Sequence, residues 1–254
     1  MNWHKRYSQQ ANWTRDLRAY LFDKAGLDRA SRALEVGCGT GAILCGIKSP
    51  ASLTCTAPNA VRCKCHGLDL DPAALAECGI HAPGVSLTRG DALALPYPDE
   101  CFDVVFCHFL LLWVRDPLQA VREMRRVTRR EGYVLALAEP DYASRVDKPG
   151  ELAALGQWQM ESLRRQGADP TFGARLAETF YRAGIELIET GTIQSPSGTR
   201  DANEREQEWE VLESDLAGIV PEEEIRKMKI LDAEAWKQGM RVLHVPTYFA
   251  LGKT

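Results

Sequence analysis

Residues 33–44, ALEVGCGTGAIL, constrain the chain most. A short apolar run around Glu35 stops at three glycines on alternate positions, Gly37, Gly39 and Gly41. An apolar run of that length bounded by turn residues reads as a buried strand. Glycine lacks a Cβ, so the backbone after the strand can turn sharply and bring its amides against a ligand that a side chain would hold off. A nucleotide-like ligand is the first reading, and an ordinary strand-to-helix turn is the second. The same stretch also satisfies the dinucleotide pattern G-x-G-x-x-G/A with Ala42 last. Against that pattern, Glu35 stands where a small or apolar residue is usual, and Gly41 is an extra glycine.

Downstream, strand-like and helix-like stretches alternate to about residue 140, the pattern of a parallel sheet covered by helices on both faces. VRCKCHGLDL, GVSLTRGDA, FDVVFCHFLL and GYVLALAEP supply the further strands. The last two are nearly continuous in apolar character, as strands buried on both faces are. Asp71-Pro72 and Asp116-Pro117 each place a capping carboxylate before a proline that suits a first helical turn. WTRDLRAYLF puts Trp13, Leu17, Tyr20 and Leu21 on one helical face, and REMRRVTRR reads as the solvated face of a helix. Beyond residue 140 two helical stretches, a strand, a charged helical segment and a closing strand follow.

With 254 residues, 45% hydrophobic and 26% charged, the chain suffices for a single large α/β unit or for two small domains. A formal net charge of -4 gives no basic field, so nucleic acid is not expected as a partner. No stretch approaches the ~20 apolar residues of a membrane span, and the first residues lack the apolar core of a secretory signal. A cytoplasmic protein is expected. Among eight cysteines, Cys45, Cys55, Cys63 and Cys65 crowd one connection with His66. Their spacing lacks the paired C-x2-4-C of a zinc site, so no metal is expected, and Cys63 and Cys65 read as small buried hydrophobes.

The carboxylates carry the ligand reading further. Asp69 ends the second strand, where an acid can accept both ribose hydroxyl protons. Asp71 competes, but Pro72 makes it the better helix cap. Asp91 ends the third strand on the same sheet edge, where it can accept from an adenine amino group.

LEVGCGTG, GLDLDPAAL, GDALALPYPDECFDVVFCHFLLLWV and REMRRVTRREGYVLALAEP, in that order, resemble the successive motifs of class I S-adenosylmethionine-dependent methyltransferases of the type 11 group. The resemblance covers about residues 30–140. It implies an α/β, Rossmann-like seven-stranded sheet of order 3-2-1-4-5-7-6 with the last strand antiparallel, helices on both faces and a variable helical cap. It implies S-adenosylmethionine as cofactor and S-adenosylhomocysteine as product. By the same resemblance, Gly37, Cys38, Gly39 and Gly41 cradle the methionine part with Glu35 behind them. Asp69 holds the ribose, Leu70 flanks the adenine, and Asp91 and Ala92 meet its edge. Cys107 and His108 lie beside the reacting methyl. One departure is a longer connection between Gly41 and Asp69.

These readings divide the chain as one methyltransferase unit over 1–254. It has an N-terminal helical segment at 1–30, a cofactor-binding core at 31–140, helical cap elements at 141–183 and 195–245, and closing strands at 184–194 and 246–254. The expected reaction passes a methyl group to a small-molecule acceptor by in-line displacement. His108 is the candidate base, because imidazole titrates near neutral pH; a packed or cofactor-orienting histidine is the alternative. Tyr7, Trp13, Phe109, Glu139, Asp141 and Tyr142 are candidate acceptor-pocket residues, with Trp113 a further aromatic that can shield a sulfonium. The competing functions are an NAD(P)-dependent oxidoreductase and a methyltransferase-like binding protein without turnover.

Overall fold

The computed structural model describes residues 3–47, 63–193 and 202–254. Local chemistry sets the first helices of the core. The Asp71 side chain accepts from Ala73 N–H at 2.8 Å and opens α4 (Pro72–His81). Asp116 accepts from Gln119 N–H at 3.0 Å and opens α5 (Pro117–Val127). REMRRVTRR, expected as one solvated helix face, is divided instead. The Thr128 hydroxyl donates to the Met124 carbonyl at 2.7 Å, ending α5, and Thr128 begins β5 (Thr128–Pro140). Met124 and Val127 are fully buried, so only part of this run meets solvent.

Four shorter strands precede β5: β1 (Arg32–Val36), β2 (Lys64–Asp69), β3 (Ser86–Arg89) and β4 (Phe102–Cys107). β6 (Val146–Lys148), β7 (Glu186–Ile193), β8 (Val242–His244) and β9 (Thr247–Lys253) follow. The main sheet has the order β3-β2-β1-β4-β5-β9-β7, while β6 and β8 form a separate ribbon. Counted without that ribbon, this is the expected 3-2-1-4-5-7-6 order. β1 to β5 pair in parallel, and β9 runs antiparallel between β5 and β7.

Alternate side chains of the strands enter two cores. Leu34, Val36, Val105 and Val134 meet α5 and α7 (Leu176–Arg182) on one face. Ala33, Val104, Phe106 and Leu135 meet α2 (Arg15–Lys24), α3 (Leu44–Ile47) and α4 on the other. The helix before the sheet is not continuous. α1 (Trp3–Trp13) ends and Thr14 separates it from α2, so the expected shared face of Trp13, Leu17, Tyr20 and Leu21 is broken. Leu21 is fully buried, whereas Tyr20 is 49% exposed and donates its hydroxyl to Glu189.

A third cluster lies outside the sheet. Leu152 and Leu155 pack with Trp209, Leu212 and Leu216, joining α6 (Ala153–Arg165) to α8 (Ala202–Leu216) and α9 (Glu222–Lys237). The two inserted segments are also stitched by a buried ionic chain. Asp147 on β6 bridges Arg145 at 2.7 Å and Arg241 at 2.7 Å, Arg241 continues to Asp232, and Asp232 accepts from Trp209 Nε1–H at 2.9 Å. Of the expected cap segment 141–183, the part through α6 belongs to this layer. α7 packs on α5 and the sheet instead, because Leu176 and Phe180 complete the sheet core.

Candidate active site

The glycine loop leaves β1 with all three glycines at positive φ: Gly37 at 71°, Gly39 at 50° and Gly41 at 82°. Side chains are disfavoured there twice over, by conformation and by space. A Cβ on Gly37 would lie 2.6 Å from a Leu110 methyl, and one on Gly41 would lie 2.7 Å from Cys78 Sγ. The loop is fixed by the neighbouring strand. Gly37 and Cys38 both donate N–H bonds to the Leu68 carbonyl, at 2.7 and 3.0 Å. Asp69 then accepts from Gly39 N–H at 2.7 Å through one oxygen and from Asp71 N–H at 3.0 Å through the other.

Glu35 lies under this loop. It is buried, and its Oε2 has no hydrogen-bond partner among the described residues. Burial pushes its carboxyl well above the ordinary range, with the Arg18 guanidinium opposing that shift. An orphaned buried carboxylate oxygen calls for a cation or a strong donor. Leu70 stands at the other end of the loop region, 63% exposed, an apolar surface suited to the flat face of a base.

A cavity of about 490 Å³ opens over these groups. Its floor holds Glu35, Gly37, Cys38, Gly39, Asp69 and Leu70, and its edge holds Asp91 and Ala92. Asp91 shapes its own turn by accepting from Leu93 N–H at 2.9 Å. His108, Phe109, Tyr7, Tyr142 and Trp113 also face the cavity. Part of the remaining wall comes from helices that the sequence reading did not connect to the site: Trp3, Arg6 and Gln10 of α1, Gln159 and Leu163 of α6, and Asp215 of α8. No motif marks these positions, since tertiary packing of three distant helices brings them together.

Five expected site residues lie behind the wall. Gly41 backs onto α4. Cys107 is fully buried, its thiol 4.0 Å from Glu139 Oε1. Trp13 lies outside the cavity lining, and Arg6 stacks over its ring at 5.2 Å. Glu139, expected in the acceptor pocket, is buried and occupied otherwise. Its Oε1 accepts from Leu110 and Leu111 N–H, each at 3.0 Å, and its Oε2 accepts from Leu112 N–H at 3.2 Å. Burial lifts its carboxyl to about 7 against the pull of those amides. Asp141 caps a short turn, accepting from Ala143 N–H at 3.0 Å and Ser144 Oγ–H at 2.7 Å. Both carboxylates therefore shape the loops that bear the wall.

His108 has a defined state. Its Nε2 shares a 3.0 Å hydrogen bond with the Thr14 hydroxyl, and Phe109 packs edge-on against the ring. Burial, with the Arg18 charge nearby, lowers its pKa to about 3, so the imidazole is neutral at physiological pH. Among the described residues, no group of three or more His, Cys, Asp or Glu side chains is placed to hold a metal ion. Cys55 lies outside the described residues.

Comparison with known proteins decides the family. Residues 34–136 match the methyltransferase domain family of type 11. A demethylmenaquinone methyltransferase from Lysinibacillus sphaericus is 32% identical over 200 residues, covering 72% of this chain and 80% of that enzyme. The chain belongs to the class I S-adenosylmethionine-dependent methyltransferases. A malonyl-acyl-carrier-protein O-methyltransferase from Halorhodospira halophila is 32% identical over 136 residues, 52% of this methyltransferase and 43% of that one. The match thus spans less than half the length of that relative. Among solved structures, a putative methyltransferase from Bacillus halodurans aligns with a TM-score of 0.57 at 18% identity, covering 92% of this chain and 96% of its own. The (4+2)-cyclase SpnF aligns equally well, with a TM-score of 0.57 at 20% identity over 94% of this methyltransferase and 80% of its own chain. Likeness at that level shows the architecture and leaves the reaction to the site. Among the described residues, no helix is long and apolar enough to cross a membrane.

Proposed function

We propose that this methyltransferase moves a methyl group from S-adenosylmethionine to a small-molecule acceptor enclosed between the glycine loop and the cap of α6 and α8. The observation that carries the reading is the single cavity that runs from orphaned Glu35 and the glycine loop to Leu163 and Asp215. The lining fits the cofactor. Glu35 offers a buried carboxylate to an ammonium, Asp69 offers oxygens to ribose hydroxyls, and Leu70 offers an apolar face to the adenine. Asp91 and Ala92 stand where the adenine edge would be read. When bound, S-adenosylmethionine supplies a sulfonium methyl group already activated toward nucleophiles.

The protein's own work is then alignment and exclusion of water. Phe109, at a positive φ of 53°, and Leu110 are held in place by the loop that Glu139 ties down. α1 closes one side, and its Arg6 is ion-paired to Glu208 of α8. His108, held neutral, acts in this reading as a fixed hydrogen-bonding wall; with a pKa of about 3 it is a weak proton acceptor. We also infer that 1–254 work as one unit, with acceptor choice residing in the cap segments.

Isothermal titration with S-adenosylhomocysteine and, separately, NAD tests the cofactor assignment. Micromolar binding of the first and none of the second is expected; the reverse would return the chain to the oxidoreductase reading. Transfer of a labelled methyl group from S-adenosylmethionine to a small acceptor separates an enzyme from a binding protein.

A further inference from the structure

The acceptor side of the cavity has a charge pattern that narrows the substrate. Among the described residues lining the cavity, Arg6 is the one permanently charged cation, and it is already engaged by Glu208 and by the side-chain oxygen of Gln9 at 2.9 Å. His108 contributes no charge. Four carboxylates face the same space: Glu35, Asp69, Asp91 and Asp215. The first three belong to the half of the cavity that fits the cofactor. Asp215 belongs to the other half, on α8, far along the chain from every cofactor motif.

Asp215 is half-buried, and among the described residues it forms no ion pair within 4 Å; the charge of Arg6, committed to Glu208, acts on it at longer range. Its Oδ1 has a long 3.4 Å contact from Gln166 Nε2–H, and its backbone carbonyl accepts from Ser162 Oγ–H at 2.6 Å, which fixes this turn of α8 against α6. Tyr142 is close enough for its hydroxyl and Asp215 to influence each other, Val211 lies one turn earlier on α8, and Trp3, Trp113 and Leu163 line the same cavity. A partly desolvated carboxylate in a cavity that also carries aromatic faces favours a cation and disfavours an anion, and with the one lining guanidinium committed to Glu208 the second preference is stronger.

Resting on the methyltransferase reading, we propose that the acceptor is an amine on an apolar body and that Asp215 selects it. An ammonium docked on Asp215 passes one proton to that carboxylate, whose proton affinity is already raised by burial. The freed nitrogen lone pair forms the new N–C bond as the sulfonium C–S bond breaks, with the bonding pair remaining on sulfur. The neutral His108 has no proton to accept in this sequence. Acceptors bearing a carboxylate or phosphate at this end are excluded by the same charges.

The experiment titrates three series of probes into protein saturated with S-adenosylhomocysteine: phenethylamine, tryptamine and hexylamine, the alcohols of the same skeletons, and the matching carboxylic acids. The amines are expected to bind at least about tenfold more tightly than the alcohols, and the acids more weakly than either. Asp215→Asn should bring amines to within about threefold of the alcohols while S-adenosylhomocysteine affinity stays at the wild-type value. Equal affinity across the wild-type series, preference for the acids, uptake of no amine, or an amine preference that survives in Asp215→Asn overturns the proposal. Each of these is read with the product already bound. Failure of S-adenosylhomocysteine itself to bind is a separate result, and it would overturn the cofactor reading on which the proposal rests. The wild-type comparison alone decides the matter if the variant does not fold.

Discussion

The Gly39 amide donates to Asp69 Oδ2 at 2.7 Å, so a single carboxylate joins the glycine loop to the end of β2. Asp69 therefore has a structural duty as well as the proposed ribose contact. Asp69→Ala should weaken S-adenosylhomocysteine binding by about 1.5 kcal/mol or more, since a charge-assisted acceptor is lost. It should also lower the melting temperature, because the Gly39 and Asp71 amides lose their partner. Calorimetry and a thermal melt on the same variant check both, and unchanged affinity would remove Asp69 from the site.

Glu139 predicts a pH dependence of stability. Its carboxyl is raised to about 7 in the folded protein, above the ordinary value near 4.5, so the native state holds the proton more tightly than the unfolded chain. Stability from this group is lost as pH rises between those two values: the penalty is absent well below 4.5 and complete above 7, at about 3 kcal/mol. Urea denaturation at pH 5 and pH 7.5 should show the fall, and Glu139→Gln should flatten it. A slope identical in the two proteins would assign it to other groups.

For His108 the sign is opposite. With a folded pKa of about 3 and an unfolded value near 6.5, protonation favours the unfolded chain, so this residue erodes stability as pH drops below 6.5. Its ring signals in a proton NMR titration should stay those of neutral imidazole down to about pH 4. His108→Gln should cost methyl transfer less than about tenfold. A loss of a hundredfold or more, with cofactor affinity retained, would restore it as the base.

The cap can be weakened separately from the cofactor floor. Asp232→Ala leaves the Arg241 guanidinium and Trp209 Nε1–H without their shared acceptor in a buried setting. A loss of about 3–5 kcal/mol of stability is expected. S-adenosylhomocysteine affinity at a temperature where the variant is folded should change less than about twofold. A large loss of affinity would mean that the cap supports the floor directly.

What the sequence disclosed and what it withheld differ in range. Asp71 and Asp116 cap the helices they precede because a cap is settled within three residues of chain. The glycine loop was legible from its own residues, which have no Cβ, although the bonds that fix it come from Leu68 and Asp69 on the neighbouring strand. Glu139 and Asp141 misled the reading because a carboxylate after a strand has many possible partners, and here both turn to nearby backbone amides rather than to the cavity. Thr14 likewise ends a helix whose apolar pattern runs on past it. The cap side of the site was illegible for a stronger reason: Arg6, Gln159 and Asp215 meet only after three helices dock, and no periodicity in any one of them records the others.

The place of β9 in the sheet carries a consequence for biosynthesis. This strand is the last of the seven to leave the ribosome, yet it lies inside the sheet between β5 and β7. Until it emerges, the nascent chain must carry an unsatisfied edge on β5, where the fully buried Val134, Leu135 and Ala136 will later be covered. Open apolar strand edges recruit other chains. A stall or truncation within β9 should thus produce an aggregation-prone chain with its glycine loop already made, and the yield of soluble protein should depend on how fast that strand is delivered.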